Sequence, residues 1–91
     1  MGRICLNCFV SGRVQGVFYR RETREQGLAR GLTGWVKNLP DGRVEVMICG
    51  EEKAAYDMQD WLWEGSNGAM VSDVEIEELD FQEFKTFEVK N

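Results

Sequence analysis

The chain lacks histidine altogether, and this absence restricts its chemistry more than any other feature of its 91 residues. Without an imidazole, serine–histidine and cysteine–histidine catalysis are excluded. A zinc site is disfavoured for the same reason, since imidazole is among the usual zinc ligands. We therefore expect no metal and no cofactor, and any catalytic group must come from another residue type.

Long apolar segments and the residue pattern of a secretory leader are not seen in the sequence either. No apolar run approaches the roughly 20 residues that a transmembrane helix needs, and the first residues lack the basic-then-apolar order of a signal peptide. These features predict no membrane partner and a cytoplasmic location.

The length predicts one domain over residues 1–91, large enough for a single hydrophobic core, and we expect a monomer.

Charge is unevenly distributed along the chain, whose formal net charge is −5. Residues 1–43 carry eight basic and three acidic side chains, whereas residues 44–91 carry three basic and thirteen acidic ones. An acidic protein binds nucleic acids poorly, so no nucleic-acid partner is expected. The basic first half suits a small anion, although charged faces of proteins are often merely solvated.

The stretch from residue 11 to residue 20, SGRVQGVFYR, runs from a predicted strand over two glycines into a predicted helix. Glycine permits conformations in which successive N–H groups turn toward one point, and the N–H groups that open a helix lack internal partners. A phosphate can bind there, and Arg20 can close on it with a planar set of donors. A tight turn with a solvated arginine is the alternative, and the glycine spacing alone does not separate the two.

Apolar periodicity predicts six main elements and a short terminal strand. Strands are predicted at residues 3–11, 32–38, 43–49, 71–79 and 86–89, and helices at residues 19–30 and between residues 50 and 65. The sequence LPDG at residues 39–42 predicts a hairpin turn. A break in the alternation at Glu77 and Glu78 predicts a β-bulge.

This order, β-α-β-β-α-β with a short terminal strand, predicts an α+β fold. It is a ferredoxin-like sandwich, in which a mainly antiparallel sheet of strand order 4-1-3-2 carries both helices on one face. The first two strands then run parallel with the third between them, so the glycine loop and Asn38 emerge at the same sheet edge, about 10 Å apart. Alternatively, the Asn38 side chain binds the backbone of the adjacent turn.

Two segments resemble the two signature segments of the acylphosphatases: GRVQGVFYR at residues 12–20, and GWVKN at residues 34–38 followed by DGRVE at residues 41–45. The resemblance extends over the whole chain. It implies the ferredoxin-like fold and metal-independent hydrolysis of the carboxyl–phosphate bond of small acyl phosphates. It also implies a phosphate-binding role for Arg20, a water-orienting role for Asn38, and a phosphate loop made of Gln15, Gly16, Val17, Phe18 and Tyr19.

The mechanism expected for these residues is substrate-assisted. Backbone N–H groups and Arg20 bind the phosphate and stabilise its developing charge, Asn38 orients a water molecule, and the substrate phosphate accepts the proton. Inorganic phosphate is expected as product or inhibitor. Two alternatives stay open: a non-catalytic ferredoxin-like module that binds a regulatory small molecule or RNA, and a carbamoyl-phosphate-directed hydrolase.

The three cysteines present a second open question. Cys5 and Cys8 have the spacing of a dithiol motif, but in a strand their side chains point to opposite faces. Cys5 and Cys49 are predicted on one outer face of antiparallel neighbours, close enough to form a disulfide. A reducing cytoplasm argues against that bond, so the sequence leaves both states open.

Overall fold

A five-stranded sheet carries two helices in the computed structural model of this chain, which describes residues 2–91. The elements follow the predicted order, and their bounds are β1 Arg3–Arg13, α1 Tyr19–Ala29, β2 Thr33–Asn38, β3 Val44–Glu51, α2 Glu52–Glu64, β4 Met70–Asp80 and β5 Phe87–Lys90. Neither helix in this described part of the chain is long and apolar enough to cross a membrane.

The strand order is β4-β1-β3-β2-β5, so the predicted order 4-1-3-2 is confirmed and β5 extends it at the β2 edge. β1 pairs antiparallel with β3 and β4, and β2 pairs antiparallel with β3. Only the β2–β5 pair, among the strands described, is parallel. This is the predicted ferredoxin-like sandwich, and it makes β1 and β2 run in the same direction with β3 between them.

Side chains alternate along β1 between a helix-covered face and an outer face, as predicted. Leu6, Cys8 and Val10 are fully buried in the main core together with residues of both helices. Cys5, on the other face, joins Met47 and Cys49 in a small second cluster. The core is therefore one layer between the sheet and the helices, with a smaller apolar patch on the opposite side of the sheet.

The bulge predicted at Glu77 and Glu78 is wrong. The pairing of β1 with β4 is regular from Ile4–Asp80 to Ser11–Asp73, and the register shifts only between Ser11 and Gly12. β4 is an edge strand, so Glu78 can occupy a position on the helix-covered face and still reach solvent, where its carboxylate accepts a hydrogen bond from the Tyr56 hydroxyl. The acidic pair breaks the apolar alternation without breaking the ladder.

Gly34, in β2, lies where no side chain fits. Its φ is 142°, and a Cβ built on it would come within 1.8 Å of the Met47 carbonyl oxygen of the neighbouring strand. Positive φ is unfavourable for residues with a side chain, and the clash is with backbone that cannot rotate away. This position fixes the close approach of β2 to β3, and with it the position of Asn38 at the end of β2.

We predict that Gly34→Ala lowers the free energy of unfolding by about 3 kcal/mol or more, since it combines a disfavoured φ with a backbone clash. Urea unfolding followed by tryptophan fluorescence measures the change. Thr33→Ala, at the adjacent half-buried position, is the control and should cost less than about 1 kcal/mol. Equal stability of the two variants would contradict the role assigned to Gly34.

Cys5 and Cys49 are direct partners in the β1–β3 register and form a disulfide in the structure. Both are fully buried. Residues 81–86 cross beneath them from β4 to β5, and along this crossing the Gln82 N–H donates to the Cys5 sulfur at 3.2 Å while Phe84 packs on the cluster. Cys8, on the helix-covered face, is a free thiol, and burial raises its pKa to about 12.

We predict that reduction of this disulfide lowers the free energy of unfolding by about 2–4 kcal/mol, because the bond closes a loop with a sequence separation of 44 residues and restricts the unfolded chain. Urea unfolding with and without a dithiol reductant measures it, with Cys5→Ala/Cys49→Ala as the variant that should not respond. Mass spectrometry after alkylation of the unfolded chain should add one group without reductant and three with it. Three groups without reductant would refute the bond.

Candidate active site

A cavity of about 260 Å³ opens at the sheet edge where β1 and β2 end. Five of the residues singled out from the sequence line it: Gly16, Phe18, Tyr19, Arg20 and Asn38. Because β1 and β2 are parallel and separated by one strand, the loop after β1 and the last residue of β2 face the same space. The structure thus brings Arg20 and Asn38 to one cavity from two distant parts of the sequence.

Residues 14–18 connect β1 to α1 in a conformation that exposes backbone donors. Gly16 and Phe18 both have positive φ, 77° and 61°, and Phe18 occupies the N-cap of α1 without a capping side chain. Within residues 2–91, no hydrogen bond is donated by the N–H groups of residues 15–18, and Glu22 donates to the Phe18 carbonyl at 3.0 Å. The N–H groups ahead of Glu22 in the first turn have no partner within the helix. Residues 15–19 thus form a cradle of free donors at the positive end of a helix dipole, an arrangement that binds anions.

Two contacts fasten this loop on either side. The Val17 carbonyl accepts a hydrogen bond from the buried Ser66 hydroxyl at 2.8 Å. On the other side the Gln15 carboxamide donates to the carbonyls of Leu39 and Arg43, both at 2.9 Å. Gln15 and Val17, two of the predicted site residues, do not line the cavity, and these contacts hold the loop in place.

Tyr19 lines the cavity, but its side chain belongs to the core. The phenol is almost fully buried, donates to the Leu62 carbonyl at 2.8 Å, and lies 5.6 Å from the Trp61 ring, centroid to centroid. Burial raises the pKa of Tyr19 well above its usual range. The hydroxyl is therefore unsuited to proton transfer and instead anchors the start of α1.

Arg20 reaches from α1 to the added strand β5. Its Nη1 donates to the Lys90 carbonyl at 2.9 Å, and one turn further along the helix Arg24 donates through Nε to the Phe87 carbonyl at 3.1 Å. Val89 of β5 lines the cavity next to Arg20. The guanidinium is thus held at the cavity wall by one donor and retains its other N–H groups for a ligand.

Asn38 ends β2 and is half-buried. Its Oδ1 is buried and accepts no hydrogen bond from any residue within the described range 2–91. Within the described residues the Asn38 Oδ1 therefore does not bind the turn, and the side-chain acceptor in the turn is Asp41, whose Oδ1 accepts the Arg43 N–H at 3.1 Å. A buried oxygen without a partner is costly unless a ligand or water satisfies it.

Three further residues line the cavity and were missed by the sequence reasoning: Val14, Arg21 and Val89. Val89 could not be placed because the neighbour of the last strand was not predicted. The Arg21 guanidinium lies 5.3 Å from the centre of the Phe18 ring, and that ring is 69% exposed. No periodicity in the sequence predicts that Arg21 and Phe18 lie together.

Within residues 2–91, no cluster of three or more cysteine, aspartate or glutamate side chains could hold a metal ion.

Fold and cavity together define a small ferredoxin-like domain with an anion cradle after its first strand. The sequence profile of the acylphosphatase family matches residues 6–89. An acylphosphatase of Nitrosococcus oceani is 45% identical over 86 residues, which cover 94% of this chain and 97% of that relative. The chain therefore belongs to the acylphosphatase family, hydrolases that act on acid anhydrides.

Two solved structures of the family share the fold closely. An acylphosphatase from Coxiella burnetii superposes with a TM-score of 0.93 at 43% identity, covering 97% of this chain and 93% of that one. An acylphosphatase from Bacillus subtilis superposes with a TM-score of 0.94 at 32% identity, covering 97% of this chain and 99% of that one.

Proposed function

We propose that this protein hydrolyses small acyl phosphates to a carboxylate and inorganic phosphate, with Arg20 and Asn38 as its catalytic residues. The observation that carries the proposal is the joint position of three features on one cavity: free N–H groups, a guanidinium, and a buried carboxamide oxygen without a partner. Membership of the acylphosphatase family supports the same activity.

The phosphate group of the substrate binds in the cradle of residues 15–19 and beside Arg20. Backbone N–H groups and a guanidinium are both preorganised donors, so they can stabilise charge on the equatorial phosphate oxygens as the transition state forms. The bond that breaks joins phosphorus to the acyl oxygen. The carboxylate departs with the bonding electron pair and needs little help from an acid.

Asn38 orients the attacking water. Its Oδ1 accepts one water hydrogen, which directs the water oxygen toward phosphorus opposite the leaving carboxylate. A carboxamide does not accept a proton near neutral pH, and the chain contains no histidine. The water proton therefore passes to a phosphate oxygen of the substrate, and the products are a carboxylate and inorganic phosphate.

We predict that the purified protein hydrolyses benzoyl phosphate with undiminished rate in the presence of a metal chelator, and that inorganic phosphate inhibits competitively. Loss of benzoyl absorbance with time measures the reaction. Acetyl phosphate and carbamoyl phosphate serve as comparison substrates, since the cradle contacts only the group that all three share. A protein that hydrolyses none of them would refute the proposal, and one that acts only on carbamoyl phosphate would support the carbamoyl-directed alternative.

Two substitutions separate binding from water positioning. Arg20→Ala should lose both turnover and affinity for inorganic phosphate, because it removes the cationic partner of the anion. Asn38→Ala should lower kcat by about 100-fold or more while the inhibition constant of phosphate stays within about threefold, since misplacing the nucleophile affects only the chemical step. Steady-state kinetics with phosphate as inhibitor measures both.

Arg24→Ala is the matched control for Arg20, because Arg24 also donates to a β5 carbonyl but does not line the cavity. It should change kcat/KM by less than about tenfold. If Arg24→Ala were as damaging as Arg20→Ala, the effect would be due to anchoring of β5 and not to contact with phosphate.

A cytoplasmic location and a monomeric state accompany this proposal as predictions from the sequence.

A further inference from the structure

Gln15 joins the two halves of the site. Its Nε2 donates one hydrogen bond to the Leu39 carbonyl and one to the Arg43 carbonyl, each at 2.9 Å. These carbonyls lie at the two ends of the turn between β2 and β3, and Leu39 directly follows Asn38. Gln15 itself is the first residue of the cradle. One side chain thus connects the segment that supplies the backbone donors to the segment that supplies the carboxamide.

The sheet provides no other direct link between these segments. β1 and β2 are separated by β3, so no ladder of hydrogen bonds joins the end of one to the end of the other. The distance between cradle and Asn38 is otherwise set only through intervening strands and the helix layer. A direct tether at the cavity mouth restricts that distance more strongly than packing further away.

The side chain cannot bind phosphate while it makes these contacts. A carboxamide nitrogen carries two hydrogens, and both are donated to turn carbonyls. The turn does not depend on Gln15 for its own closure, because the Leu39 carbonyl also accepts the Gly42 N–H at 3.1 Å and the Arg43 carbonyl accepts the Leu39 N–H at 2.8 Å. Removal of the amide therefore leaves a closed turn that is no longer fastened to the cradle.

We propose that Gln15 is a positioning residue that sets the place of the Asn38 carboxamide relative to the phosphate, an inference that rests on the proposed acylphosphatase function. Its effect on the reaction is through Asn38 alone. A shift of about 1 Å in the attacking group can lower a rate by about 100-fold, so a tether of two 2.9 Å hydrogen bonds at this point affects the chemical step. The affinity for phosphate depends on the cradle and Arg20. Ser66 still fastens the cradle at the Val17 carbonyl when the tether is removed, so this affinity should change little.

Gln15→Met tests this, because methionine has a similar length and no hydrogen-bond donor. It should lower kcat for benzoyl phosphate by about 10- to 100-fold and leave the inhibition constant of inorganic phosphate within about threefold. Gln26→Met is the matched control: the same exchange at a half-buried position of α1 whose side chain pairs with Arg30, outside the cavity. It should leave both values unchanged. A Gln15→Met variant that loses phosphate affinity would overturn the inference.

A double-mutant cycle gives the sharper result. In an Asn38→Ala background, Gln15→Met should cause no further loss of kcat, because the group it positions is absent. Multiplicative losses would show that Gln15 acts independently of Asn38 and would overturn the inference while leaving the proposed activity intact.

A readout that needs no turnover distinguishes the two proposals. In ¹⁵N spectra, Gln15→Met should broaden or split the Asn38 side-chain amide signal, while addition of inorganic phosphate still shifts the backbone amides of Gly16 and Phe18. An unchanged Asn38 signal would refute the positioning role. An inactive parent protein would refute only the proposed reaction, since the spectra still decide whether Gln15 holds Asn38 in place.

Discussion

Unsatisfied N–H groups at the start of α1 are the constraint around which the site is built. Every α-helix leaves its first donors without internal partners, and a capping side chain is one common way to satisfy them. Here the N-cap is Phe18, which supplies none. The positive end of the helix is left to an external acceptor, and a phosphate fits both its charge and its geometry.

A loop of this kind needs support, because its conformation is unfavourable. Phe18 has a φ of 61°, a region that residues with side chains seldom occupy and that costs of order 1 kcal/mol. The surrounding contacts hold it there: Ser66 fastens the Val17 carbonyl, and the buried Tyr19 phenol fastens the first helical residue. The cradle is therefore preorganised by the core, and a ligand does not have to order it.

The sequence predicted the parts of this fold that depend on periodicity and failed where individual atoms decide. Alternation along β1 correctly separated Cys5 from Cys8, because a strand between two others has an obligatory buried face. The same reasoning misplaced the bulge, because an edge strand such as β4 tolerates Glu78 at a position that a central strand would bury.

The hydrogen-bond partners of Gln15 show most clearly what could not be predicted from the sequence. They lie 24 and 28 residues away, and no spacing rule distinguishes an amide that binds a ligand from one that holds a turn. Val89 was missed for a related reason. The short strand that contains it was expected, but its pairing with β2 depends on a crossing of the chain beneath the sheet that apolar patterning does not describe.

The placement of β5 also determines at what point in folding Arg20 reaches its position at the cavity wall. Arg20 and the Lys90 carbonyl are 70 residues apart in the sequence, and Arg24 and the Phe87 carbonyl are 63 apart. Closing loops of this length costs chain entropy before the contact can stabilise the fold. In a nascent chain the cradle gains its contact with Ser66 only after residue 66 has been synthesised, and Arg20 gains its β5 partner only after residue 90 has been synthesised.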